Sequence, residues 1–102
     1  MRDYHIHTIL STGLFTVNEI VEFASRNGFD AIGICDNYRT NRVRSIQNID
    51  LYLSTFSDYG IKVFRSVEID FSIYSEIDNV FDENLNKLDY VLIENVEDMR
   101  YS

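Results

Sequence analysis

Apolar and polar positions alternate along the chain in blocks that read as strands and helices in turn. Four stretches are rich in apolar residues over strand-like lengths: Asp3–His7, Asp30–Cys35, Ile61–Ile69 and Asp89–Ile93. Their starts lie 27, 31 and 28 residues apart. That spacing, with helical patterns between, is what successive strand–helix units produce. Ala31-Ile32-Gly33-Ile34 and Tyr90-Val91-Leu92-Ile93 are nearly continuous apolar runs, as expected of parallel strands buried on both faces.

The first helix carries the clearest signals. Thr16 and Glu19 form an S/T-x-x-E capping box. Val17, Ile20, Val21 and Ala24 then recur on one stripe, and Asn27-Gly28 supplies a left-handed end. A second helix is predicted from about Val43 to Tyr59, with Val43, Ile46, Leu53 and Phe56 on one face and Gly60 as its stop. A short third helix is predicted over Phe81–Leu88; Ile73–Val80 reads equally as strand or loop. The fold class is therefore α/β, in the order βαβαβαβ with parallel strands and right-handed crossovers. A closed barrel of this kind needs about eight strands. Four leave two open edges and an uncovered inner face, so an open sheet, a half-barrel that pairs, or a fragment of a longer barrel is expected.

The 102 residues make one small domain, 1–102, with 45% hydrophobic and 25% charged residues. No apolar run reaches the roughly 18 residues that span a bilayer, and no signal-peptide core opens the chain. With the lone Cys35 unable to form an internal disulfide, a cytoplasmic location and no membrane contact are expected. The net charge of -8 weighs against nucleic acid as a partner. That charge is uneven: six acids against five Lys/Arg in residues 1–50, eleven against four in the rest. The acidic half suits a solvated face, a basic partner or bound cations.

The two histidines of the chain stand together, at His5 and His7. On a strand, residues two apart face the same side, here at the C-terminal end where such folds bind ligands. Neutral imidazole is the commonest transition-metal ligand. Asp36 and Glu68 end the next two strands, so a parallel sheet gathers all four at one rim. Two histidines and a carboxylate suit Zn²⁺, Mn²⁺ or Fe. Asp36 suits a turn residue bonded to nearby backbone rather better than a ligand. Arg39, Arg42 and Arg44 precede the second predicted helix, where they read as a phosphate site or as a solvated loop. Cys35 reads as a buried thiol, and Tyr52, Phe56 and Tyr59 as helix packing.

Asp3-Tyr4-His5-Ile6-His7-Thr8 followed by Ser11-Thr12-Gly13 resembles the opening D-x-H-x-H-T-x-x-S-D-G motif of the PHP (polymerase and histidinol phosphatase) family. Ala31–Asn37 resembles its second motif, which normally ends T-D-H. Val67-Glu68-Ile69, after Gly60–Val63, resembles its G-x-E motif. Asp89–Ile93 resembles the strand before its next metal histidine. The resemblance implies a distorted, TIM-like (β/α)7 barrel that binds two or three divalent metals and hydrolyses phosphoesters. It carries His5, His7 and Glu68 over as ligands. Three departures stand out: Thr12 replaces the motif's Asp, Asn37 replaces a ligand histidine, and Val96 falls where another histidine is expected. The later ligands would lie beyond Ser102.

The resemblance thus implies the N-terminal half of a PHP barrel with degenerate metal motifs. It would be a truncated, histidinol-phosphatase-like phosphoesterase scaffold, holding at most one divalent metal per chain and weakly active or inactive when isolated. A homodimer or a partner chain would complete the barrel, bringing in a second His5/His7 pair with Asp36 and Glu94 as further carboxylates. A phosphoester ligand would meet the arginines. The alternatives are a phosphoesterase completed by dimerisation and a non-catalytic RNA-processing subunit of the RNase P barrel type.

Overall fold

A computed structural model describes residues 2–71 and 77–94. Four strands run in the order β1 (Arg2–Ile6), β2 (Ala31–Asn37), β3 (Lys62–Asp70) and β4 (Tyr90–Glu94). They form one sheet in the order β1-β2-β3-β4, and every pairing is parallel. The result is a curled half-barrel with the helices on its outer side. The βαβαβαβ reading holds for the strands, each shifted by a residue or two.

Parallel register fixes the two faces of the sheet, because paired residues share a side. Ile32, Ile34 and Asp36 pair with Val63, Arg65 and Val67. This outer face buries Ile32, Ile34, Val67 and Ile69 against Val17, Val21, Ala24, Ile49 and Tyr52. Burying each aliphatic side chain contributes about 1.5–3 kcal/mol, so this layer is the main source of stability. Gly33, Cys35 and Asn37 pair with Phe64, Ser66 and Glu68 on the other, open face.

Helix α1 (Val17–Arg26) forms as the pattern predicts. Its Thr16–Glu19 capping box is closed in both directions, and Gly28 turns with φ +79°. The second predicted helix is corrected. Helix α2 covers only Ile49–Ser54, capped by the Asn48 side chain on Leu51 N. The chain ahead of it turns at Arg39 (φ 49°) and returns so that Ile46 bridges Tyr38. Ile46 is thus buried by a loop, and Val43 is exposed. Those two residues imitate a helical stripe without forming one. Phe56 lies past α2 and packs edge-on against Tyr52 at 5.3 Å.

The third predicted helix is corrected too. Two 3₁₀ helices, Ile77–Phe81 and Glu83–Lys87, replace it, with Asp82 between them as the cap of the second. Half of the stretch read as strand or loop, 73–76, and Val96 lie outside the described residues. Among the described residues no helix is long and apolar enough to cross a membrane.

Candidate metal centre

The open face acquires its histidines through an irregularity in β1. Asp3 pairs with Ile32 and Ile6 with Ile34, so β1 has one extra residue between those points. A bulge of this kind re-aims side chains. Tyr4 packs on Phe64 and His5 on Glu68, both of the open face. His7 follows two residues on, just past the strand.

Three atoms converge there. His5 Nε2 lies 2.5 Å from Glu68 Oε1, and His7 Nε2 lies 3.5 Å from the same oxygen. The two Nε2 atoms are 3.1 Å apart. Among the described residues, His5, His7 and Glu68 form a group of side chains whose possible ligand atoms all lie within 4.8 Å of one another. Glu68 is buried, His7 half-buried and His5 exposed. One lone pair from each of two imidazoles and one carboxylate oxygen make a three-ligand shell open to solvent on one side, which suits a borderline divalent cation.

Asp36 does not join this group. It lies on the outer side of β2, fully buried. Its Oδ1 accepts from Thr8 N at 2.6 Å and from Ser11 Oγ at 2.5 Å, and its Oδ2 accepts from Thr8 Oγ1 at 2.7 Å. All three donors belong to the loop after the histidines. Gly13 closes that loop, donating to Thr8 O. A Cβ at Gly13 would lie 2.1 Å from the His7 carbonyl oxygen, so only glycine allows the close approach.

The loop before α2 spreads the three arginines. None sits at a helix N-terminus, because α2 begins at Ile49. Arg39 pairs with Asp82 at 3.7 Å, and Arg42 with Asp70 at 3.5 Å. Arg44 reaches the Ile9 carbonyl at 3.4 Å. Of the three, Arg42 lines a cavity of about 310 Å³ beside the cluster, together with His7, Thr12, Asn37, Glu68 and Asp70.

Two neighbouring groups show how the rim differs from the buried sheet. Glu94, at the end of β4, titrates above the usual carboxylate range. Desolvation is the main cause, and the charge and hydrogen bonding of Glu68 add to it. Cys35 contacts Ser66 at 3.6 Å, and burial pushes its thiol up to about 12, so it carries no thiolate for chemistry.

Thr12 and Asn37, which the sequence marks only as departures from the motif, touch the cluster. Thr12 Oγ1 lies 2.5 Å from His7 Nδ1, and Asn37 Nδ2 donates to Thr12 Oγ1 at 3.5 Å. The parallel register was the available signal: Asn37 stands opposite Glu68 on the same face.

The paired histidines, a glutamate from β3 and the order of the strands now stand beside the family comparison, in which the PHP domain matches residues 3–100. The chain belongs to the PHP domain family. No curated protein and no solved structure matches it. PHP domains form a metal-dependent, phosphoesterase-like family. This fold brings His5, His7 and Glu68 into contact.

Proposed function

We propose that this PHP domain holds a single divalent cation through His5 Nε2, His7 Nε2 and Glu68 Oε1, and that the cation site is the remnant of a phosphoesterase centre. The observation that carries the reading is the convergence of those three atoms beside a cavity that also presents Arg42. A cation there would lower the pKa of bound water and draw charge from a phosphoryl oxygen. Arg42 is placed to meet a phosphate in that cavity on exchanging its Asp70 partner, since guanidinium binds phosphate with two parallel hydrogen bonds. Arg39 and Arg44 face elsewhere. A reduced ligand set predicts weak or no hydrolysis by the isolated chain. Zn²⁺, Mn²⁺ and Fe²⁺ all suit two imidazoles and a carboxylate.

The same reading includes a second copy or a partner chain against the open face. Tyr4, Phe64 and Tyr90 gather there in an apolar hollow, and β1 and β4 lack a further strand among the described residues. A dimeric mass in light scattering at micromolar concentration is expected, and a monomeric mass would remove this part. The RNA-processing alternative is disfavoured by the charge of -8 and by the pairing of Arg39 and Arg42 with carboxylates.

Elemental analysis of protein purified without chelator or affinity metal tests the cation site. One Zn, Mn or Fe per chain is expected, and His5→Ala should abolish it. No metal after incubation with each ion, or full retention by His5→Ala, would overturn the reading. A phosphomonoester screen of the loaded protein then measures what hydrolysis remains.

A further inference from the structure

We propose that Thr12 is the positioning residue of His7: its hydroxyl oxygen accepts the Nδ1 proton of His7 and keeps the Nε2 lone pair aimed at the cation position. The inference rests on the proposed cation site for its purpose, but its geometry stands in the protein without an ion.

His5 Nε2 lies 2.5 Å from Glu68 Oε1. His7 Nε2 lies 3.1 Å from His5 Nε2. His7 Nε2 therefore faces the cluster, and its Nδ1 faces Thr12. For that Nε2 to offer a lone pair to a cation, Nδ1 must carry the proton, and Thr12 Oγ1 lies 2.5 Å from it. Which ring nitrogen binds a metal is set by the hydrogen bond that the other one makes. A hydroxyl that accepts from Nδ1 therefore holds His7 in the ligating tautomer.

Thr12 is itself held. Asn37 Nδ2 donates to the same oxygen from the other side. The preceding turn is fixed by Asp36 through Thr8 and Ser11, and Gly13 packs on the His7 carbonyl. The two motif departures on this face thus form one hydrogen-bonded unit behind His7.

The test uses the whole chain and its two imidazoles. Long-range ¹H–¹⁵N correlation of the metal-free protein reads each tautomer, with His5→Gln assigning the signals. Competition with a chromophoric chelator reads Zn²⁺ affinity. In the wild type His7 is expected wholly as the Nδ1–H form. Thr12→Val, which keeps the shape and removes the hydroxyl, should populate the Nε2–H form and weaken Zn²⁺ binding about tenfold. Thr12→Ser should restore both. An Nε2–H His7 in the wild type, or a Thr12→Val protein with unchanged tautomer and affinity, would overturn the assignment. If the wild type binds no Zn²⁺, the metal reading falls, while the tautomer comparison still decides the role of Thr12.

Discussion

Asp36 and Glu68 are two buried carboxylates at the same end of neighbouring strands, yet their surroundings differ. Asp36 faces the helical side and is saturated by three protein donors. Glu68 faces the open side, where its neighbours are two imidazoles and the Glu94 carboxyl. One carboxylate ties the loop down; the other faces the two histidines. The difference arises from strand parity alone, since Asp36 pairs with Val67 and Asn37 with Glu68.

The most severe way to break the comparison is Asp36→Ala. It leaves Thr8 N, Thr8 Oγ1 and Ser11 Oγ without their acceptor in a buried site. Unsatisfied groups cost about 1–3 kcal/mol each, so a loss of about 3 kcal/mol or more is expected, read as a Tm lowered by more than about 10 °C. A Tm within about 3 °C of wild type would show that the loop does not depend on Asp36. Cation binding gives the next largest effect. Zn²⁺ at a hundred times its Kd should stabilise the wild type by about 2.7 kcal/mol. Glu68→Gln should remove that gain while the metal-free Tm changes little. A zinc-induced gain that survives in Glu68→Gln would erase the contrast between the two carboxylates.

Tyr52 offers a finer probe of the closed side. Its hydroxyl donates to Ser66 O at 2.8 Å, and burial raises its pKa, so it remains a donor at any ordinary pH. Tyr52→Phe should cost about 1 kcal/mol in denaturant unfolding and leave Zn²⁺ affinity unchanged. The smallest effect concerns Asp82, whose carboxyl is held below its usual range, chiefly by the Tyr38 hydroxyl. A lowered folded pKa gives stability that is full above the unfolded value near 4 and is lost as pH falls through the folded one. Asp82→Asn should therefore flatten the acid limb of the stability profile below about pH 4. An unchanged limb would show that the Tyr38–Asp82 contact contributes nothing there.

Most of the scaffold is legible in the sequence because local rules and tertiary packing agree. Thr16, Glu19 and Gly28 mark the ends of α1 by their own chemistry, and the apolar runs of β2 and β4 demand burial. His5, His7 and Glu68 fall at one rim once the strands are parallel. Periodicity misleads where a loop borrows a helical pattern. Val43 and Ile46 sit three apart, but Arg39 adopts a left-handed turn and Ile46 pairs with Tyr38, neither of which periodicity registers. With the helix start moved to Ile49, the three arginines separate. The bulge in β1 and the Thr12–Asn37 unit are hidden too, because each depends on register between strands rather than on neighbours in sequence.

Gly33 gives the open face one more property. The Tyr90 hydroxyl passes over it to donate to the Tyr4 carbonyl at 2.5 Å, and a Cβ at Gly33 would lie 2.0 Å from the Tyr90 oxygen. The contact acts as a chord drawn across the arc of the sheet, from β4 to β1, with its midpoint over a residue that has no side chain to obstruct it. Tyr4 is the residue before His5. The length of that chord therefore sets how far β1 bends toward β3, and hence how close His5 stands to Glu68. A side chain at position 33 would lengthen the chord and flatten the arc. In that sense the spacing between His5 and Glu68 is gauged by a glycine that touches neither.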